Sequence, residues 1–147
     1  LSLQNPKFNP QTPGMGAAGG VAAGFSNFLE VTHASGFTTI AQLTDLEKHL
    51  IKADLIFTGE GSVDGQTLSG KTPLGVAGLA KKHHKPLVCL CGKKGDDLDA
   101  LYESGITALF SITDRAMNLT EALNETPILL SKTTEDVLRL WLSNRKL

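Results

Sequence analysis

Between Asp54 and Val76 the chain reads DLIFTGEGSVDGQTLSGKTPLGV, and Glu60, Asp64 and Lys71 fall within that one stretch. A hydroxyl that attacks phosphorus needs a carboxylate to orient it or take its proton, and positive groups to meet the equatorial oxygens. Asp64 and Lys71 are of those types, and Glu60 could instead hold magnesium. Gly59 and Gly61 allow the backbone to approach a ligand closely or to take positive φ. The bland alternative is a solvated loop whose carboxylates cap helices and whose glycines only make turns. Residue types alone leave both open.

Gly65 to Thr72, GQTLSGKT, also satisfies the G-x-x-x-x-G-K-[ST] pattern of a P-loop. Its context argues against that architecture. A P-loop's first glycine sits at the end of its strand, whereas Gly59 to Asp64 separate the expected strand end at Thr58 from Gly65. Leu109-Phe-Ser-Ile-Thr-Asp114 is also a poor candidate for a second strand ending in a magnesium-holding Asp. A P-loop nucleotide hydrolase is therefore the last of the alternatives.

The elements that must position these residues follow from periodicity. A strand over Asp54–Thr58 leads through the glycine loop to a helix from Pro73 to about His83, with Thr72 as cap and Pro73 in the first helical position. Its basic end, Lys81 to Lys85, complements the helix dipole, and His83 and His84 read as surface residues there. A strand over Leu87–Cys91 follows, then a turn at Gly92–Gly95. Next comes a helix from near Asp96, with Leu98, Leu101 and Tyr102 inward and Gly105 ending it. A third strand covers Ile106–Ile112. Asn118 and Glu121 stand at capping-box spacing before a short helix around Leu119–Leu123. A last helix is expected from Thr126-Pro127, with Leu130, Val137, Leu138 and Trp141 on one face. Upstream, residues 1–13 read as a linker, Gly14 to Gly20 and Val21 to Glu30 as a small-residue helix, and His33–Gly36 as a turn. Phe37–Ile40 is a candidate short strand, and Leu43, Leu46 and Leu50 mark an amphipathic helix ending near Lys52.

Three β-then-α units in a row predict an α/β fold, a parallel sheet with helices on both faces in the Rossmann/flavodoxin-like layer arrangement. Ligands bind such sheets at the carboxyl ends of the strands. Those ends are Thr58–Gly61, Gly92–Gly95 and Thr113–Arg115, where Lys93, Lys94 and Arg115 could meet phosphate or simply be solvated. Residues 1–45 are expected to close a second, mostly missing domain, and 46–147 to form the α/β portion.

At 147 residues, 41% apolar and 20% charged, the chain has the composition of an ordinary globular domain. A formal net charge of -1 gives no basic surface for nucleic acid or membrane. No apolar run approaches a bilayer span and no signal pattern stands at the start. That start lacks Met and is rich in proline, so it reads as a chain met mid-loop, a piece of something longer. Cys89 and Cys91, alternate residues of one strand, read as small buried hydrophobes on one face, and two unpaired thiols suit a cytoplasmic setting.

The run Thr58-Gly-Glu-Gly-Ser-Val-Asp-Gly-Gln-Thr-Leu-Ser-Gly-Lys71 resembles the T-G-E-G-x-x-D-x-Q-T-x-x-G-K signature of the bacterial-type glycerate kinase family. Pro13-Gly-Met-Gly-Ala-Ala-Gly-Gly20 is similar to its P-G-x-G-A-A-G-G segment. Lys85–Gly92, Gly105–Ile112 and Met117–Leu123 fall where its next segments fall. The resemblance implies a two-domain kinase, not a P-loop fold, that moves the γ-phosphoryl group of ATP to a hydroxyl of D-glycerate with Mg2+. Within the residues it carries over, the types suggest Asp64 as base or orienter, Lys71 on phosphate or the glycerate carboxylate as the second catalytic residue, and Glu60 toward magnesium. Thr58, Gly59, Gly61, Gln66, Thr67, Gly70, Gly14, Gly16, Gly19 and Gly20 would then hold substrate and phosphate. Family members are much longer, so the expected partners are ATP, D-glycerate and the N-terminal part of the same protein, with a homodimer as a further expectation. The alternative is a non-catalytic or partner-dependent anion-binding fragment.

Overall fold

A computed structural model describes residues 8–64 and 72–143 of the chain. It comprises two compact units, Leu1–Thr39 and Ile40–Leu147. None of its described helices is long and apolar enough to cross a membrane.

The first unit holds helix α1, Ala17–Phe28, whose entrance departs from the small-residue helix expected there. Ala18, Gly19 and Gly20 have φ of 50°, 68° and 85°, a left-handed turn before the right-handed helix proper. Gly14 is also left-handed, at φ 93°. Glycine adopts this region without the Cβ–carbonyl clash that costs other residues about 1–2 kcal/mol, which Ala18 bears. Further along α1, the buried Ser26 hydroxyl donates to the Ala22 carbonyl at 2.8 Å and lies 2.8 Å from His33 Nε2.

Helix α2, Gly36–Leu43, occupies the segment expected to be a strand at Phe37–Ile40. Ser35 accounts for the difference. Its Oγ accepts from the Thr38 amide at 3.0 Å and its carbonyl from the Thr39 amide at 3.0 Å. This capping arrangement outweighs the weak β preference of Phe-Thr-Thr-Ile. Helix α3, Leu46–Lys52, starts after Asp45 at φ 51°, so the helical pattern from Leu43 is two helices and not one.

The second unit carries the sheet. Strand β1 (Ile56–Val63), helix α4 (Thr72–Lys82), strand β2 (Leu87–Lys94), helix α5 (Asp99–Ser104), strand β3 (Ala108–Ser111) and helix α6 (Leu119–Ser143) follow in order. The strands pair in parallel as β1-β2-β3. On one face Leu87, Cys89 and Cys91 pack with Ala77 and Ala80 of α4 and Leu101 of α5. On the other, Val88 and Leu90 pack with Leu129 and Val137 of α6. Helices therefore cover both faces, and the two cysteines share one face because alternate strand residues must. Lys82 forms an ion pair with Glu47 of α3 and His83 Nε2 lies within hydrogen-bond reach of the same carboxylate, so His83 is not merely a dipole-favoured surface residue.

Four local expectations are corrected. Tyr102 is exposed while Leu101 is fully buried. Proline does not separate two helices at Thr126-Pro127, because α6 runs unbroken through Pro127. An interior proline costs about 3 kcal/mol, but Pro127 is exposed, so water reaches the freed carbonyl, and burial of Leu129 and Val137 beyond it offsets the loss. The buried face of α6 is Leu129 and Val137, while Leu130 and Leu138 are exposed. The fourth correction bears on the site. β1 and β2 do not stop at Thr58 and Cys91 but run on to Val63 and Lys94.

Candidate functional site

The Thr58–Val63 segment is strand, held by pairing with β2 on both sides of a paired-glycine step. Glu60 stands opposite Cys91 and Ser62 opposite Lys93, with Gly61 and Gly92 falling between them. Ile56 and Val63 pack into the same core although they stand an odd number of positions apart along the strand. Strict alternation would put them on opposite faces, so the strand turns over in between. A Cβ on Gly92 would lie 2.7 Å from the Gly61 carbonyl oxygen, which marks where the backbones crowd. Two other glycines answer to similar approaches. A Cβ on Gly59 would sit 3.2 Å from the Leu90 carbonyl oxygen, and one on Gly95 would sit 2.7 Å from Asp64 Cβ.

Gly61 is different. It has no positive φ, and a Cβ there would meet nothing within 4 Å. It borders a groove of ≈ 1330 Å³ between the carboxyl end of the sheet and the first half of α6. Leu90 and Ile112 line it from the sheet, and Ala122, Leu123, Thr126 and Leu130 from α6. Thr58, Gly59, Glu60, Lys93, Lys94, Thr113 and Arg115 border it as well. All three strand ends named from the sequence thus meet in one depression, although two of them lie on strand and not in loop.

The surrounding bonds hold this edge in shape. The Ser111 hydroxyl donates to the Gly92 carbonyl at 3.2 Å and lies 2.7 Å from Thr113 Oγ1. Arg115 donates to Glu125 at 2.7 Å and to Asp114 at 3.2 Å, tying the connection after β3 to α6. The guanidinium hydrogen bond holds the Glu125 carboxyl below its usual range. At the start of α6, the Asn118 amide donates to Glu121 at 3.0 Å and the Glu121 amide to Asn118 at 3.0 Å. This is the reciprocal capping box read from the sequence. Lys94 Nζ lies 6.0 Å from the centre of the Phe110 ring, at the outer limit for a cation–π contact.

The cysteines beneath the edge supply no nucleophile. Burial, with smaller contributions from Cys91 and Glu60, pushes the Cys89 thiol up to about 11, and burial also raises Cys91. Both stay protonated near neutrality, and only a thiolate attacks.

The residues expected at a site fall into four groups. Thr58, Gly59, Glu60 and Gly61 border the groove. Asp64 follows β1 directly and packs beside Gly95. Gln66, Thr67, Gly70 and Lys71 lie outside the described residues. Gly14, Gly16, Gly19 and Gly20 belong to the other compact unit. Among the described residues no three acids, histidines or cysteines gather as a metal cluster. The α6 wall was missed from the sequence, because Ala122, Leu123 and Leu130 read there only as helix. Because β1 extends to Val63, Gly65 does follow closely on a strand end in the sequence, so distance from the strand does not by itself exclude a P-loop.

What decides the matter is relatedness. The sequence profile of the glycerate kinase family matches residues 3–142. The chain belongs to the glycerate kinase family. A glycerate kinase from Halalkalibacterium halodurans is 39% identical over 125 residues, 85% of this chain and 33% of that protein. Glycerate 2-kinase from Escherichia coli K12 is 41% identical over 110 residues, 75% of this chain and 29% of that one. A crystal structure from Salmonella typhimurium LT2, of a protein proposed to be glycerate kinase 2, superposes with a TM-score of 0.68 at 34% identity. It covers 91% of this chain, and the chain covers 34% of it. The chain thus spans about a third of the length of the curated relatives it matches.

Proposed function

We propose that this glycerate kinase family chain contributes one side of the active site of a kinase that moves the γ-phosphoryl group of ATP to a hydroxyl of D-glycerate. The observation that carries this reading is the placement of Thr58-Gly-Glu-Gly61 on a strand bordering a groove at the carboxyl edge of a parallel sheet. Asp64, just beyond that strand, orients the glycerate hydroxyl and takes its proton as the oxygen bonds to phosphorus. The bond from the γ-phosphorus to the bridging oxygen then breaks and ADP leaves. Lys71 neutralises the equatorial oxygens, which accumulate charge as the phosphoryl group passes.

Magnesium enters with ATP as part of the substrate. A nucleotide-bound Mg2+ asks the protein for only one or two carboxylates, a demand that Glu60 on the groove fits without a resident three-acid cluster. Thr58, Gly59, Gly61, Gln66, Thr67 and Gly70 bind phosphate and substrate. Gly14, Gly16, Gly19 and Gly20 are further substrate- and phosphate-binding residues in this reading, three of them (Gly14, Gly19 and Gly20) with positive φ. The rest of the site comes from the remainder of a full-length protein, which acts in the cytoplasm and for which a dimer is the expected assembly. One observation favours a second reading, a partner-dependent anion-binding fragment: the chain spans about a third of its relatives.

The test is the full-length gene product assayed for ADP release with D-glycerate and MgATP. Asp64→Asn is expected to lower kcat by about 10²-fold or more, and Lys71→Ala to lower it likewise while the protein stays folded. Undiminished turnover in both variants would refute the assigned roles. No turnover in the full-length wild type would leave the second reading standing.

A further inference from the structure

We infer that the groove between the sheet edge and α6 holds the nucleotide, with its base and ribose against α6 and its phosphates against Lys93 and Lys94. The inference rests on the kinase reading and divides the two substrates within it, leaving D-glycerate to the side of Gly61 and Asp64.

The wall chemistry separates the two candidates. D-glycerate is a small anionic hydroxy acid with almost no apolar surface to bury. A nucleobase is a flat ring that gains most from apolar side chains on both faces. Leu90 and Ile112 offer such a floor, almost wholly buried, and Leu123 and Leu130 remain 64% and 42% exposed on the opposing helix. Large aliphatic side chains left open along a groove mark a binding surface rather than a solvated face. Size agrees, since ≈ 1330 Å³ exceeds what a small hydroxy acid could occupy.

Charge sets the direction. Arg115 is committed to Glu125 and Asp114, whereas among the described residues neither Lys93 nor Lys94 is paired with a carboxylate. Two unpaired ammonium groups at the end of β2 complement a polyphosphate, and Glu60 on the neighbouring strand can meet its metal ion. A nucleotide lying this way has its apolar end on α6 and its γ-phosphate toward Gly61. There the absent side chain leaves open space for the transferring group.

The experiment uses the full-length gene product and reads the substrates separately. Ala122→Trp places an indole in the groove from α6, and Leu123→Arg puts a charge where the base would lie from a side chain already exposed. Each is expected to raise KM for MgATP, and the calorimetric Kd for MgADP measured without glycerate, by about tenfold or more. KM for D-glycerate should stay within about twofold. Lys94→Ala should weaken MgADP by about tenfold while leaving adenosine nearly unaffected. A rise in glycerate KM with MgADP binding intact would overturn the inference, as would unchanged nucleotide binding in all three variants. Loss of thermal stability in Leu123→Arg with MgADP affinity unchanged would also overturn it, and would make α6 a seat for the rest of the chain. If the wild type binds MgADP and the variants weaken it while glycerate is never turned over, the kinase reading fails and the groove assignment stands.

Discussion

Gly61 and Gly92 face each other across β1 and β2, yet they should respond to the same substitution in opposite ways. In Gly92→Ala the new methyl would stand 2.7 Å from the Gly61 carbonyl oxygen, a backbone atom in the middle of a paired strand. Ordinary contact begins near 3.4 Å, so the strands must part by several tenths of an ångström where Glu60–Cys91 and Ser62–Lys93 hold them together. Overpacking of this kind costs about 1–3 kcal/mol. Each kcal/mol is worth about 2–4 °C at 150–250 residues and less in a longer protein, so Tm of the full-length protein should fall by several degrees and by no more than about 12 °C. In Gly61→Ala the methyl meets nothing within 4 Å and φ needs no adjustment. Replacing a strand glycine at such a position removes unfolded-state entropy and stabilises by about 0.4–1 kcal/mol. Its cost should appear in function, because the methyl occupies space beside the groove. Thermal melting and steady-state kinetics on the full-length protein make the comparison. Gly92→Ala should melt lower, and Gly61→Ala should melt at or above wild type with reduced turnover. An unchanged Tm in Gly92→Ala, or a marked fall in Gly61→Ala, would refute the account of how these strands pack.

Two further outcomes follow from local geometry. Asn118→Ala removes the acceptor for the Glu121 amide and should cost about 1 kcal/mol, read as a lower Tm; Asn118→Asp, which keeps the acceptor, should restore most of it. Cys89 has a folded-state value of about 11 against an ordinary 9, so the folded state holds the proton more tightly than the unfolded chain. Stability should therefore be full below pH 9 and decline as pH rises from 9 through 11, by at most about 2–3 kcal/mol. Equilibrium unfolding across that range should show a decline that Cys89→Ala reduces, and the native thiol should resist alkylation at pH 8.

The fold class was legible because alternating apolar strands and helical segments leave few arrangements other than a parallel sheet covered on both sides. Leu87 to Cys91 is buried throughout, as a two-sided strand must be. The capping box at Asn118 and Glu121 and the helix end at Gly105 were equally local, each needing only neighbours three or four residues away. Where reading failed, the competing interaction came from elsewhere. Phe37–Ile40 became helical because Ser35 capped it, and α6 continued through Pro127 because burial downstream held it. Tyr102 had the right spacing but faced solvent, since a short helix gives its packing to Leu101.

Sequence by itself determined the order of elements, the family signature and the residue types gathered between Thr58 and Lys71, all of which are properties of neighbours along the chain. Only the tertiary structure could decide that Thr58-Gly-Glu-Gly61 is strand rather than loop. Glycines carry weak strand preference, and what keeps this segment extended is pairing with a strand about thirty residues away, which approaches closely at Gly59 and Gly92. The same pairing sets Glu60 opposite Cys91 and Ser62 opposite Lys93, so that Glu60, Lys93 and Lys94 border one groove, and the packing of α6 on the far face closes it. Spacing names the groups that could do the chemistry, but nearness across strands depends on pairing and burial, which spacing does not encode.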